Sequence, residues 1–291
     1  MIDVIAHLFL AAFFSIGIRW VQIRKQYNIF SVGAVNYLAA YILGLAMLLL
    51  YWRSSSIAVP SDFRSALPTL LTGAGLGIGY LVAFFLLLRT LHLRGVAIAN
   101  ALTRLAVLIP ITLAIVIWGE RPGAIQWMGI AVSLAAVFLM NAPKRAGVRS
   151  SSGIGTWIIP ILLFLAAGGS FTAQEIFNHL DKPEQQAFFV MCGFGVTAIG
   201  AMVILIVRNH MPSIPELIVA VLIGTANALQ VLFLLRALDR LSSFLVFAVS
   251  GAGGVICTVV IARVVLGERP SGIQALGIAA ATVALVLLQV R

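Results

Sequence analysis

The chain has 291 residues, 62% of them hydrophobic and 10% charged, with a mean hydropathy of +1.10. So little polar surface cannot cover a water-soluble globule of this length, and the composition assigns the chain to a bilayer. The formal charge of +10 arises from 19 basic and 9 acidic residues, but the basic residues punctuate apolar runs without interleaved aromatics, so they read as membrane-flank charges and argue against nucleic acid as a partner.

A helix needs about 20 apolar residues to cross a bilayer, and ten such stretches follow one another with short breaks. Span one (4–22) carries Arg19; with no basic leader or small-residue cleavage site it reads as a retained span, not a signal peptide. Span two (29–52) carries Asn36 and Tyr37, and span three (66–88) carries Tyr80 and the close-packing glycines Gly73, Gly75, Gly77 and Gly79. Span four (95–118) carries Asn100, Thr103 and Arg104, and span five covers 122–140. A basic linker at 143–153, with Lys144, Arg145 and Arg149, precedes span six (154–176), which carries Gln174 and Glu175. Span seven (185–207), span eight (215–235) with Asn227 and Gln230, span nine (241–266) with Arg263, and span ten (271–290) complete an all-α, polytopic chain. Lys and Arg divide nearly evenly between the two sides, which leaves the orientation of the termini open.

One stretch occurs twice. Gly119-Glu120-Arg121-Pro122, followed by Ile125-Gln126 and Gly129-Ile130-Ala131, returns 148 residues later as Gly267-Glu268-Arg269-Pro270, Ile273-Gln274 and Gly277-Ile278-Ala279. Over two windows of 22 residues, 11 positions are identical, so the chain is a duplication. Glycine relieves a left-handed helix cap and proline suits the first turn of the next helix, so Gly119, Glu120 and Pro122, like Gly267, Glu268 and Pro270, read as a structural corner. Shorter echoes, Phe9-Leu10-Ala11-Ala12 with Phe164-Leu165-Ala166-Ala167 and Leu88-Arg89 with Leu235-Arg236, extend the repeat to residues 1–142 and 154–291. Each half has five spans, an odd number, so the second enters from the opposite side. Inverted repeats of this kind characterise secondary transporters, with a substrate site near mid-membrane between them.

Two five-span halves, each closing on a Gly-Glu corner and a Gly-Ile-containing helix, resemble the drug/metabolite transporter superfamily, in particular its EamA-type members. The resemblance covers nearly the whole chain. It implies a basket of helices around a central cavity, the fifth and tenth at the periphery, and export or exchange of amino acids, phosphorylated compounds or other metabolites.

Polar side chains inside spans are costly in lipid and tend to face a cavity or a partner. Arg104, with Asn100 four residues earlier on the same face and Thr103 beside it, could bind a substrate carboxylate or phosphate, or pair internally. Arg19 and Gln174 are related by the repeat, so Arg19 could meet Gln174-Glu175, or each could reach the interface instead. Apart from Glu216 at the very start of span eight, Glu175 is the one acid in these spans and the proton-coupling candidate. Asn36, Tyr80, Asn227 and Gln230 could line the cavity or serve as interhelical hydrogen bonds. Cys192 and Cys257 lie alone in apolar runs, with no metal or disulfide pattern. There is no GxxxxGK[ST], HExxH or GxSxG, so neither ATP hydrolysis nor other catalysis, and no cofactor, is expected.

The expectation is an alternating-access carrier in the inner membrane, monomer or homodimer. It would export a small amphipathic metabolite bearing a carboxylate or phosphate, coupled to a proton or a counter-substrate. A cationic drug or amine exporter, and a non-transporting lipid-scrambling or scaffold protein, are the alternatives.

Overall fold

A computed structural model describes residues 2–24, 26–52, 63–94, 96–140, 155–209, 211–266 and 271–289. The linker 143–153 and the second corner, with Gly267, Glu268 and Pro270, lie outside the described residues. All regular elements among the described residues are helical: α1 (Ile2–Ile23), α2 (Ile29–Trp52), α3 (Phe63–Arg94), α4 (Val96–Leu105), α5 (Leu108–Val116), α6 (Ala124–Met140), α7 (Gly155–Asn178), α8 (Gln186–Val207), α9 (Ile214–Leu238), α10 (Ser243–Leu266) and α11 (Gly272–Gln289). A 3-10 turn, Pro183–Gln185, leads into α8. Among them, six helical stretches are long and apolar enough to cross a membrane: Ile2–Gln22, Ile29–Leu50, Phe63–Thr90, Ile158–Asn178, Pro183–Val207 and Ile214–Leu238. Leu102–Val116, Ala124–Leu139, Ser243–Gly254 and Ala275–Leu288 are shorter apolar stretches. Large apolar side chains such as Leu50, Phe63, Ile206 and Leu276 lie exposed, as a lipid-facing surface requires.

Span four, expected as one helix over 95–118, is broken at Ala106 and Val107 into α4 and α5. Pro110 explains the break. Its nitrogen has no hydrogen to give the Ala106 carbonyl and its ring would crowd that oxygen. The Ala106 carbonyl instead accepts from Ile109 N–H at 3.2 Å, and Pro110 falls in the first turn of α5, where its missing N–H costs nothing.

The chain forms two compact units, each using helices from both halves of the sequence: Met1–Leu81 with Ala173–Arg240, and Val82–Thr172 with Leu241–Arg291. In the first unit α1 packs on α9, and α2 on α8 and α9. Lipid supplies no hydrophobic drive between helices, so the contact depends on close van der Waals approach at small residues. Gly44 lies against the Met191 backbone, Gly73 and Gly77 against α8 around Gly193, and Gly224 against the Asn36 carbonyl.

One end of this unit collects the starts of α1, α3 and α8 and the end of α9. Arg240 holds Asp3 at 3.2 Å, Gln186 Nε2 donates to Asp239 at 2.5 Å, Thr69 donates to Gln185 at 2.5 Å, and Lys182 donates to the Ser65 carbonyl at 2.8 Å. At the other end the buried Glu216 closes a capping box on α9 through Ser213 N–H, accepts from Asn28 N–H at 2.6 Å and from the Ser31 hydroxyl, while Arg208 stacks over Phe30.

In the second unit α6 packs on α11, α10 packs on both and on α5, and Leu105, Ala136, Val137, Ala252 and Ala281 form the core. The first corner lies here. Gly119 has φ +69°, the left-handed conformation anticipated for it. Pro122 precedes α6 by two residues instead of opening its first turn, and the repeated glutamine, Gln126, accepts from Gly123 N–H at 2.9 Å to cap that helix. Glu120 serves a different helix: its two carboxylate oxygens accept from Ser243 N–H at 2.8 Å and Phe244 N–H at 3.0 Å, the first turn of α10.

Glu120→Ala is therefore expected to destabilise the protein by about 1–2 kcal/mol, the scale of a lost N-terminal cap, read as a lower unfolding midpoint in detergent, while Glu120→Gln keeps an acceptor and loses less. Burial raises the Asp239 carboxyl above its usual value, against the opposing pull of the Gln186 hydrogen bond and of Arg240. The folded chain thus holds that proton more tightly than the unfolded chain, and stability falls as pH rises from the ordinary carboxylate range through the folded value. Asp239→Asn should flatten that part of the melting temperature against pH curve.

Candidate functional site

The first unit contains a line of polar groups across three helices. On α1, His7 Nδ1 lies 2.8 Å from the Gln230 carbonyl oxygen of α9. Gln230 Nε2 donates to Asn227 Oδ1 at 2.8 Å, an i, i+3 pair on one face of α9. Asn227 Nδ2 donates to Asn36 Oδ1 of α2 at 3.3 Å, and Asn36 Nδ2 reaches the Gly33 carbonyl at 3.4 Å. Asn36 is 1% and Asn227 3% exposed. Gly224, one turn before Asn227 on α9, lets the α2 backbone approach closely enough for the two amides to meet, since a Cβ there would run into the Asn36 carbonyl.

Beside this line stands an aromatic group. Phe194 of α8, fully buried, lies 6.5 Å from Tyr37 of α2 and 5.8 Å from Tyr80 of α3, ring centre to ring centre. The Tyr80 hydroxyl and the Gln174 side chain of α7 are hydrogen-bonded. The next residue, Glu175, is fully buried, and its Oε1 lies 3.0 Å from His179 Nε2, one turn further along.

Asn36, Tyr80, Gln174, Glu175, Asn227 and Gln230 therefore all belong to one unit and face other polar or aromatic groups. Arg19, half-buried, is in the same unit but about 24 Å along α1 from Asp3. Glu175 lies at the end where Asp3 is tied, so Arg19 and Glu175 are not brought together. Arg104 sits half-buried at the end of α4 in the second unit, within electrostatic reach of Cys257. Thr103 gives its hydroxyl to the Ala99 carbonyl at 3.2 Å; Asn100 lies on α4 with its side chain outside the described residues. Arg263 is exposed on α10.

Sequence reading missed His7, His179 and Glu216. His179 carried a signal, its i, i+4 spacing from Glu175; the partners of His7 and Glu216 are 223 and 188 residues away, with no local sign. The paired amides are neutral and hold both donors and acceptors, so they can trade their mutual bonds for those of a polar solute without burying a bare charge. Among the described residues no group of three or more His, Cys, Asp or Glu could hold a metal ion.

Residues 4–142 match the model of the EamA-like transporter family. A crystal structure of a protein superposes with a TM-score of 0.71 over 99% of this chain and 95% of that one, at 17% identity, a likeness of fold alone. No curated protein sequence matches. With its several apolar helices the chain is a multi-pass membrane protein, and its residues 4–142 match the EamA-like transporter family, which belongs to the drug/metabolite transporter superfamily.

Proposed function

We propose that the protein is a secondary transporter that moves a small amphipathic metabolite across the inner membrane by alternating access, in the direction of export. The observation that carries this reading is the line of His7, half-buried Gln230, and buried Asn227 and Asn36, whose last interhelical bond, between α9 and α2, is its longest at 3.3 Å. A bond of that length is near the weak end of the range, and a solute that offers the same donors and acceptors can replace it.

In this reading residues 1–142 and 154–291 are inverted five-helix repeats joined by the basic linker 143–153, and the protein works as a monomer or homodimer. Half-buried Arg104 favours a substrate with a carboxylate or phosphate. Transport is driven by a proton, with Glu175 as its carrier, or by a counter-substrate. An amine exporter that uses Glu175 as its cation contact is the second reading, supported by the complete burial of that acid.

Uptake into proteoliposomes of a panel of labelled amino acids, dicarboxylates, sugar phosphates and amines tests the proposal. Asn227→Ala and Gly224→Ala, which remove or displace the amide pair, are expected to lower uptake about tenfold, the equivalent of about 1.4 kcal/mol. Arg104→Ala should cost anionic substrates about tenfold to a hundredfold, as for a hydrogen bond to a charged group, and spare amines. Anion uptake unchanged in Arg104→Ala removes the anion-site role, and a panel with no saturable uptake at all sinks the carrier reading in favour of a scaffold or scramblase.

A further inference from the structure

A carboxylate without water at hand needs a route for any proton it exchanges. Glu175 is fully buried three residues before the end of α7, and the side chain against it, His179, is about one-third exposed. The imidazole has one face toward the surface and its Nε2 at hydrogen-bond distance, 3.0 Å, from Glu175 Oε1. Helical spacing at i, i+4 holds the two in line. On the inner side Gln174 and the Tyr80 hydroxyl continue the polar path toward Phe194 and Tyr37.

We propose that His179 and Glu175 form a proton relay that admits protons from the end of the first unit where the chain's N-terminus lies. That end is fixed by the ties of Lys182 to Ser65, Thr69 to Gln185, Gln186 to Asp239 and Arg240 to Asp3, which gather the turn after α7 with the starts of α1 and α3 and the end of α9. In the step itself the imidazolium Nε2–H bond breaks and an O–H bond forms on Glu175 Oε1, leaving a neutral imidazole and a neutral carboxyl; water returns a proton to the ring. Histidine suits this place because its ring has two nitrogens, so it can take a proton on one and give one from the other. The titratable side chains on the elements packed against this end of α7 are Tyr80 on α3 and Cys192 on α8, with Asp181, Lys182 and Glu184 in the connecting turn. His179 is the one placed in line with Glu175 by helical spacing, at 3.0 Å from its Oε1.

The inference rests on the transporter reading, but its test needs no transported solute. Infrared pH-difference spectra of the full chain reconstituted in phosphatidylethanolamine and phosphatidylglycerol vesicles use the proton itself as the probe. A protonated-carboxyl band that Glu175→Gln removes is expected. In His179→Gln its midpoint should move upward by about one pH unit, a tenfold change in proton affinity, because the neighbouring imidazolium that favours the carboxylate is gone. His179 is partly exposed, so the variant should fold, and gel filtration in detergent checks that it does. A midpoint unchanged in His179→Gln, or no band lost in Glu175→Gln, overturns the relay while leaving saturable uptake in the panel above untouched. Failure of the panel with the band shift present would instead overturn the transporter reading.

Discussion

Lipid offers no hydrogen-bond partner, and that one deprivation organises this structure. A polar group placed at depth is most stable when it finds its complement on the chain itself, and the backbone does so by being helical. Side chains have fewer options. Asn36 and Asn227 meet each other, Gln230 turns to Asn227, and Thr197 gives its hydroxyl to the Gly77 and Gly193 carbonyls. These pairs do more than satisfy atoms. The Asn36–Asn227 and Thr197–Gly77 bonds each tie a helix from the first half of the sequence to one from the second, while Gln230 supports Asn227 from its own helix.

The close contacts and the polar pairs depend on each other. Gly224 brings α9 against the α2 backbone, and only at that separation can the amides of residues 36 and 227 bond; Gly73 and Gly77 do the same for α3 and α8, so that Phe194 reaches Tyr80. A bundle held mainly by large aliphatic side chains would keep its helix axes further apart and leave such groups stranded. The arrangement also concentrates titratable groups at the ends: Glu216 with Asn28 and Ser31 at one, Asp239 with Gln186 and Arg240 at the other.

Much of this was legible in the residues, because hydropathy and helical period are local properties. The apolar stretches, the left-handed Gly119 and the polar positions 36, 80, 174, 175, 227 and 230 could be read directly. What pairs with what could not. The cap that Glu120 supplies belongs to a helix 123 residues away, whereas the repeat marked it only as part of a local corner. Pro110 was visible, but whether a proline bends a helix or divides it depends on how the freed Ala106 carbonyl is satisfied, which here is by Ile109. Arg19 and Gln174 match by sequence offset, yet Arg19 stands about 24 Å along α1 from Asp3, the end near which the turn after α7 is tied.

The Glu120 cap also bears on biogenesis. A ribosome delivers the corner at residues 119–122 long before it delivers Ser243 and Phe244, so this carboxylate enters the membrane interface without the amides that will receive it. The corner at residues 119–122 is therefore completed only when the start of α10 is in place, and the cap links an early part of the chain to a late one.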